Sequence, residues 1–408
     1  MVALEIAFVL TLVATQPAQA QTFTVLHNFT GAQDGAGPVA GVTMDGAGNL
    51  YGTTDGGGGR SGAGAVYKLT HRGSGWTLNP LYNFTGGSDG ANPEARVIFG
   101  PNGTLYGTTV AGGEYNNGTV FNLRPFPTVC KAALCPWMET VLYAFTGGTD
   151  GDGPYLGDVI FDQAGNLYGT TANGGANGGG VVYELTPAGE WGTESVLHAF
   201  GSSGDGTHPD HGVVFDNHGN LYGTTWGGGS RYVGLVFQLV PVTGGWTENI
   251  LYSFENGNDG GDPMANVIAD RSGNLYGATD NGGTGGGGTV FELSPSGDSW
   301  TYNLLYSFAG TPGGSCGPWG TLTMDEAGNL YGTTYCDGSY GFGNVFKLSP
   351  SNGGWTYTSL HDFCAGGLPC SDGNYPWSTV VFDSSGNLYG TASEGGSFAL
   401  GVVWEITP

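Results

Sequence analysis

The sequence predicts an all-β fold, and more narrowly a seven-bladed β-propeller with four antiparallel strands in each blade. First, the segment Gly-Asn-Leu-Tyr-Gly-Thr-Thr at 48–54 returns six more times with small changes. Second, each repeat contains four short segments rich in β-forming residues, separated by glycine-rich turns. Third, the two chain ends complement each other as a closed ring requires. The tyrosines of the seven copies, 54 to 62 residues apart, are Tyr51, Tyr106, Tyr168, Tyr222, Tyr276, Tyr331 and Tyr389.

The composition is rich in glycine but does not indicate a disordered chain. Of the 408 residues, 82 are glycine and 20 are proline, which is close to the range of low-complexity sequences. Aromatic residues nevertheless make up 12% of the chain, and they recur at fixed places in the repeat. Disordered chains are poor in aromatic residues, so the glycines are better explained as turn residues between many short strands.

Four strands can be assigned within each repeat. Strand A, for example 159–161, is joined by an Asp-x-x-Gly turn to strand B, which is the repeated Leu-Tyr-Gly-Thr-Thr. After a Gly-Gly loop, strand C reads Gly-x-Val-aromatic-x-Leu, as around Val182. Strand D begins near a tryptophan and ends at a phenylalanine, as from Trp76 to Phe84. Because one such sheet cannot bury both of its faces alone, we expect neighbouring blades to pack against each other.

The two ends of the chain predict how the ring closes. The last repeat stops after strand C, at 406–408, and no strand D follows it. The segment 22–29 has the composition of a strand D, but no blade precedes it. We therefore expect this N-terminal strand to complete the seventh blade, which removes exposed sheet edges and ties the termini together.

Strand direction assigns the connections to two faces of the disc. The A–B and C–D turns lie on one face, the turn face, and the B–C and D–A loops lie on the other, the loop face. Cys316 in a D–A loop and Cys336 in a B–C loop of the same blade should meet on the loop face and form a disulfide. Six cysteines allow fifteen pairings, so proximity along the chain is only a guide for the other four. These are Cys130, Cys135, Cys364 and Cys370.

The charge balance excludes two classes of partner. The chain carries 34 acidic residues against nine basic ones, a net charge of −25. A nucleic-acid-binding protein needs clustered lysine and arginine, and an anionic membrane repels such a chain. No apolar stretch of the sequence is long enough to span a membrane. We expect a monomer that binds neither nucleic acid nor membrane.

The N-terminal segment predicts export. A largely apolar run at 2–13 leads to Ala18-Gln19-Ala20, which is an A-x-A cleavage pattern. The six cysteines suit an oxidising compartment. We therefore expect a signal peptide at 1–20, a single propeller domain at 21–408, and a secreted or extracellular protein.

Aspartates recur in the D–A loops, which have the form Gly-Gly-x-Asp-Gly-x-x-Pro. A ring of carboxylates on one face would be able to bind calcium, another divalent cation or sugar hydroxyls. The alternative is a structural role, because Asp-Gly is a favoured turn pair. The candidate residues are Asp34, Asp89, Asp150, Asp205, Asp259 and Asp372.

The fourth repeat holds the densest group of metal-ligating residues. His208 and His211 follow the spacing His-x-x-His, and Asp205 and Asp210 lie beside them. These four residues form a candidate metal site, although the same spacing also occurs in loops that bind no metal.

Four aromatic residues lie on or near the loop face, outside the repeated aromatic positions. They would be able to stack on sugar rings or anchor a partner, and the alternative is packing between blades. The sequence contains no nucleophile-elbow, zinc-protease or phosphate-binding motif. The four residues are Trp226, Trp319, Tyr335 and Trp377.

The repeated motifs resemble those of a known family. Gly-Asn-Leu-Tyr-Gly-Thr-Thr, Gly-x-Val-Phe-x-Leu and Trp-Thr-x-x-x-Leu-Tyr-x-Phe are similar to the GloVer-type choice-of-anchor tandem-repeat family of bacterial exported proteins. The resemblance covers nearly all of 21–408 and implies export and a surface or extracellular location. It implies no established activity, so no catalytic residue follows from it.

The leading functional hypothesis is a secreted binding module whose loop face holds an extracellular ligand, either a carbohydrate or a protein. Variable loops on a rigid scaffold without a recognisable catalytic set favour this interpretation. One alternative is an extracellular enzyme that acts on polysaccharide, assisted by a metal in the fourth repeat. The other alternative is a purely structural surface protein.

Overall fold

Seven four-stranded antiparallel sheets follow one another along the chain, which confirms the predicted propeller. The structure is a computed structural model, and it describes residues 21–73, 75–126, 137–187, 193–310 and 316–408. Over these residues the chain forms strands, turns and loops but no helix, and so none that could cross a membrane. The predicted signal peptide at 1–20, together with Cys130 and Cys135, lies outside the described residues.

Each blade is a sheet in which strands A, B, C and D are neighbours in that order. The A strands are β2 (Thr43–Met44), β6 (Ile98–Phe99), β10 (Ile160–Phe161), β15 (Val214–Phe215), β20 (Ile268–Ala269), β24 (Thr323–Met324) and β28 (Val381–Phe382). The B strands are β3 (Leu50–Thr54), β7 (Leu105–Thr109), β11 (Leu167–Thr171), β16 (Leu221–Thr225), β21 (Leu275–Thr279), β25 (Leu330–Thr334) and β29 (Leu388–Ala392). The C strands are β4 (Ala65–Arg72), β8 (Thr119–Pro125), β12 (Val181–Thr186), β18 (Leu235–Val242), β22 (Thr289–Ser296), β26 (Asn344–Ser351) and β30 (Val402–Thr407). The D strands are β5 (Gly75–Asn83), β9 (Trp137–Ala144), β13 (Thr193–Ala199), β19 (Gly245–Ser253), β23 (Ser299–Ser307), β27 (Gly354–Asp362) and β1 (Thr22–Asn28).

Blade four has one additional ladder on the loop face. Its D–A loop contributes β14 (Gly206–Thr207), and its B–C loop contributes β17 (Gly227–Gly228). The two segments pair antiparallel, so these loops are joined by backbone hydrogen bonds.

The A strands are two residues long and line the central channel, where those of blades three to seven enclose about 480 Å³. In six blades an aspartate follows strand A and holds the A–B turn, whereas blade two has Gly100 there. In blade one, Asp45 accepts hydrogen bonds from the backbone N–H of Asn49 at 2.9 Å and from the Tyr51 hydroxyl at 3.0 Å. The aspartate satisfies backbone donors that the tight turn leaves unpaired. Equivalent bonds occur at Asp162, Asp216, Asp270, Asp325 and Asp383.

The N-terminal strand closes the ring, as the chain ends predict. Strand β1 pairs antiparallel with β30, from Thr22 opposite Thr407 to Asn28 opposite Val402. It takes the place of strand D in blade seven, so the first and last segments of the fold share one sheet.

The repeated motif holds neighbouring blades together. Tyr51 packs in one hydrophobic cluster with Val97 and Phe121 of blade two. The Thr53 hydroxyl donates a hydrogen bond to the Ala95 carbonyl of blade two at 2.9 Å. The motif is therefore structural, since its apolar side chains fill the core and its first threonine links two blades. The equivalent threonines Thr224, Thr333 and Thr391 donate to carbonyls of their own neighbouring blades.

The glycine of the motif is required by a close approach. The aromatic ring of strand C lies directly over it, and a Cβ added at Gly52 would lie 2.3 Å from the Tyr67 hydroxyl. At Gly390 the same added atom would lie 2.3 Å from the Trp404 ring. A larger side chain at this position would push strands B and C apart.

Two disulfides are present among the described residues, namely the predicted Cys316–Cys336 pair and a pair formed by two of the other four cysteines. Cys316 bonds to Cys336, which confirms that the D–A and B–C loops of blade six share one face. Cys364 bonds to Cys370 within the D–A loop that leads into blade seven.

Candidate ligand site at the channel mouth

The residue that follows the loop proline lies at the loop-face end of the central channel. In four blades this residue is Val39, Glu94, Trp319 or Trp377, and all four line one cavity. We call this cavity the channel mouth. The blades therefore contribute chemically different side chains from one repeated position, because the proline turns each loop towards strand A.

An ion pair narrows the channel below the mouth. The Arg96 guanidinium of blade two donates from Nε to Asp158 Oδ2 of blade three at 2.8 Å, and also from Nη2. The backbone N–H of Arg96 donates to the other oxygen of Asp158 at 3.0 Å. Both side chains also line the channel mouth. Since this carboxylate neutralises Arg96, the guanidinium does not present a free positive charge to a ligand.

One side of the mouth carries carboxyl groups whose pKa values are near neutral. Burial, assisted by the charge of Asp55, raises the pKa of Glu94 to about 8. Burial raises the pKa of Asp210 to about 7. Tyr155 lies close to both groups. Its pKa is raised by burial and, to a smaller extent, by the charges of Glu94 and Asp210. At pH 7 these carboxyl groups are protonated for much of the time, so they can donate as well as accept hydrogen bonds.

Two aromatic rings line the other side of the mouth, Trp319 and Trp377, and two tyrosines extend their stack; we call these four rings the aromatic patch. Trp319 stacks on Tyr335 with ring centroids 4.8 Å apart, and it lies 4.6 Å from Trp377. Tyr335 stacks in turn on Tyr375 at 4.8 Å. The Trp319 indole N–H donates to Asp280 Oδ1 at 2.7 Å, which fixes the ring. The disulfide between Cys316 and Cys336 joins the D–A loop that carries Trp319 to the B–C loop that carries Tyr335.

Three overlapping matches to one repeat family cover the chain at 11–134, 131–301 and 228–408. The family is described as the Gloeobacter/Verrucomicrobia repeat. The chain belongs to this family. The match confirms the resemblance that the repeated motifs predict. A comparison with curated proteins finds no match.

Solved structures share the fold at low sequence identity. A candidate 6-phosphogluconolactonase from Bacteroides uniformis has 15% identity and a TM-score of 0.50, over 79% of this chain and 84% of its own. A candidate oxidoreductase (glucose dehydrogenase) from Thermus thermophilus has 15% identity and a TM-score of 0.47, over 77% and 96%. The likeness to the first of these structures shows the fold and not the activity.

In this Gloeobacter/Verrucomicrobia repeat protein, the loop aspartates make hydrogen bonds within their own loops. Asp150 accepts from the backbone N–H of Thr146 at 2.8 Å and from the Tyr143 hydroxyl at 2.9 Å. Such bonds satisfy the turn and leave little capacity for an outside ligand. Binding of a cation or sugar by these residues stays a prediction. Comparable bonds are made by Asp34, Asp89, Asp205, Asp259 and Asp372.

The four residues of the predicted metal site in blade four do not meet in one group. His211 is buried in the channel wall, where burial lowers its pKa to about 3, and His208 packs edge-on against Trp226 with centroids 5.6 Å apart. Asp205 instead contacts His198 on strand D of blade three. Metal binding at His208, His211 and Asp210 therefore stays a prediction without a shared ligand geometry.

The predicted aromatic residues divide into two environments. Trp319, Tyr335 and Trp377 come together in the aromatic patch, while Trp226 lies outside the channel mouth and is 43% exposed. Sequence reasoning missed Glu94, Tyr155 and Tyr375 at the same mouth. A signal for the first two was available, because each follows directly after the loop proline of its repeat.

Proposed function

We propose that the protein binds a neutral carbohydrate at the channel mouth. The observation that carries the proposal is that Trp319 and Trp377 line the same cavity as Glu94. Aromatic rings stack on the apolar faces of sugar rings, and carboxyl groups bond to the hydroxyls at their edges. The mouth offers both chemistries around one opening, whose enclosed volume of about 30 Å³ admits a hydroxyl group, so a sugar ring would lie across the mouth.

The charges around the mouth favour a neutral ligand over an anionic one. The chain has a net charge of −25, and Arg96 is held by Asp158. An anionic ligand, such as a phosphorylated or uronic sugar, would lose hydration at the mouth without a free cation to balance its charge. A neutral oligosaccharide avoids this cost.

We further propose that the protein works outside the cell as a monomer. Two disulfides support an oxidising compartment, as does the apolar leader predicted at 1–20. A protein ligand at the loop face and a purely structural role are the competing proposals. They differ in the outcome of a glycan-binding experiment.

The test is an array of neutral oligosaccharides, followed by calorimetric titration of the tightest binder. We expect Trp377→Ala and Trp319→Ala to weaken binding roughly 30-fold, because truncating a central aromatic anchor costs about 2 kcal/mol. Tyr232→Ala is the matched control, since Tyr232 is 84% exposed on a loop-face connection outside the mouth. Absence of binding to every neutral glycan would contradict the proposal and leave the protein-ligand and structural alternatives.

A second candidate function is hydrolysis or rearrangement of the bound sugar. The observation that favours it is the pair of carboxyl groups with raised pKa values, Glu94 at about 8 and Asp210 at about 7. A carboxyl group that keeps its proton at neutral pH is suited to act as a general acid. This version predicts turnover of the bound oligosaccharide. Glu94→Gln should abolish that turnover while binding persists, whereas unchanged turnover in this variant would exclude Glu94 as the acid.

A further inference from the structure

The outer D strands of neighbouring blades form a second set of repeated contacts, which we call the outer seams. In six of these seams a tyrosine or histidine on one D strand bonds to the aspartate of the loop that follows it. A residue near the start of the next blade's D strand faces this pair. At the seam between blades three and four the three residues are His198, Asp205 and Glu248.

These three residues bring their ligand atoms close together. His198 Nε2 lies 3.3 Å from Asp205 Oδ2 and 3.7 Å from Glu248 Oε2, and all three ligand atoms lie within 4.8 Å of one another. The Asp205 side chain is 4% exposed and the Glu248 side chain 14% exposed. Among the described residues, this is the one group of three such side chains with that geometry. A further oxygen, Glu248 Oε1, is buried without a hydrogen-bond partner there.

We propose that His198, Asp205 and Glu248 bind a divalent transition-metal ion of the zinc type. A tetrahedral zinc ion with ligands at about 2.0–2.1 Å holds its ligand atoms roughly 3.3–3.4 Å apart. The two distances from His198 are close to that spacing, and a small movement of Glu248 completes it. One imidazole nitrogen and two carboxylate oxygens suit zinc, whereas calcium takes six to eight oxygen ligands. A water molecule would occupy the fourth position.

The competing explanation is a protonated histidine that bridges two carboxylates. Burial opposes this charge, but the hydrogen bond to Asp205 and the charge of Glu248 together raise the pKa of His198. A proton and a metal ion would then compete for the same nitrogen. Titration of the metal separates the two explanations.

The neighbouring seam supplies a natural control. Between blades two and three, Tyr143 stands where His198 stands, and its hydroxyl donates to Asp150 at 2.9 Å. Glu194 faces this pair. Its pKa is raised to about 7 by burial and then by the charge of Asp150. The two seams therefore share both carboxyl groups and differ in the residue that would supply the nitrogen ligand.

The site would join two blades by coordination. His198 and Asp205 belong to strand D of blade three and the loop after it, while Glu248 belongs to strand D of blade four. A bound ion would also fix the loop that carries Asp210 towards the channel mouth. The metal proposal does not depend on the carbohydrate proposal, because the two sites use different residues.

The experiment is calorimetric titration of zinc chloride into the purified protein and three variants. The parent chain should bind one zinc ion at this site. His198→Tyr copies the neighbouring seam and should weaken binding about 100-fold or more, since even residues behind the ligands cost 10–100-fold when changed. Tyr143→His should create a second site and raise the stoichiometry to two. His218→Ala removes a histidine that is 86% exposed in side chain and should leave binding unchanged.

Thermal unfolding in the same samples checks that each variant is folded. Zinc should raise the Tm of the parent and not that of His198→Tyr, because an ion bound only to the folded state stabilises it. Glu248→Gln provides a second, nearly isosteric test if the tyrosine variant folds poorly, and it should also lose binding. Undiminished zinc affinity in His198→Tyr or in Glu248→Gln would overturn the proposal, as would a parent chain that binds no zinc.

Discussion

The outer seams of the two halves of the ring are built from opposite chemistry. Between blades one and four, the residue facing the loop aspartate is Glu139, Glu194 or Glu248. Between blades four and seven, the same position holds an aromatic ring that stacks on the previous D strand. Its stacked pairs have ring centroids 4.7 Å, 4.6 Å and 3.7 Å apart, and they are Tyr252–Tyr302, Tyr306–Tyr357 and Phe23–His361.

The channel mouth follows the same division. Glu94 of blade two lines the mouth, and Asp210 holds the equivalent position of blade four, whereas Trp319 and Trp377 line the mouth from blades six and seven. One half of the ring therefore presents carboxyl groups and the other presents aromatic rings, both at the channel mouth and at the outer seams. The repeated positions of each copy build the scaffold, while the positions that differ between copies supply the carboxyl groups and aromatic rings of the mouth and the seams.

The two kinds of seam should respond differently to pH. Burial, and then the charge of the neighbouring loop aspartate, raises the pKa of Glu139, Glu194 and Glu248 to about 7. The stacked tyrosine pairs Tyr252–Tyr302 and Tyr306–Tyr357 have no comparable titration in this range, because a phenol titrates at about pH 10.

The largest effect is expected from pH acting on the three glutamates together. Because the pKa of such a glutamate is higher in the folded state than in the unfolded chain, the folded state binds the proton more tightly. The resulting contribution to the free energy of unfolding is fully present below the unfolded pKa of 4.5, and it is lost as the pH rises through about 7. One pKa unit corresponds to ~1.4 kcal/mol, and after a discount for partial exposure we expect a summed loss of about 4 kcal/mol between pH 5 and 8. Urea unfolding at pH 5 and at pH 8 measures this loss in the free energy of unfolding.

The control for this prediction is the triple variant Glu139→Gln, Glu194→Gln and Glu248→Gln. It keeps the shape of the three seams and leaves the channel-mouth carboxyls to titrate as before, while His198 loses the charge of Glu248 that helps to raise its pKa. The difference between parent and variant therefore reports the three glutamates together with their effect on His198. Equal pH dependence in the two proteins would show that these carboxyl groups do not titrate as proposed.

The second effect is expected from an aromatic seam. Tyr357 stacks on Tyr306 and accepts a hydrogen bond on its hydroxyl from Asn344 at 2.6 Å. Tyr357→Ala should lower the free energy of unfolding by about 3 kcal/mol, as truncation of a packed aromatic ring does. The loss should be the same at pH 5 and at pH 8. Tyr357→Phe keeps the ring and should cost less than half as much. A loss of stability at only one of the two pH values would contradict the proposed difference between the acidic and the aromatic seams.

The smallest effect is expected from exchanging one chemistry for the other. Glu194→Tyr would place a ring against Tyr143, as Tyr302 lies against Tyr252. We expect a gain of about 1 kcal/mol at pH 8, where the glutamate is ionised beside Asp150, and a smaller gain at pH 5. Unfolding of the parent and variant side by side tests this. A variant that is less stable at pH 8 would show that the acidic seams are shaped specifically for glutamate.

The scaffold could be predicted from the sequence because its signals are local and repeated. The motif around Tyr51 fixed the period, the unpaired strand at 22–29 predicted the closure, and opposite-face reasoning predicted the bond between Cys316 and Cys336. Each of these depends on strand order and direction, which a repeat displays seven times.

The chemically distinct positions could not be predicted in the same way, because their surroundings come from another blade. Glu248 lies on a strand whose sequence suggests a solvent-facing residue, and it becomes mostly buried when blade three supplies Asp205 and His198. Glu94 gains its raised pKa from burial at the mouth and from Asp55 of blade one. Sequence spacing also grouped His208 with His211, although their side chains point to different surroundings.

A crystal structure of the protein with its tightest-binding neutral oligosaccharide tests the central claim most directly. We predict a sugar ring stacked on Trp319 or Trp377 at the channel mouth, with a hydroxyl within hydrogen-bond distance of Glu94 or Asp210. Oligosaccharide density on the turn face or along the outer seams, with the channel mouth occupied only by solvent, would contradict the account.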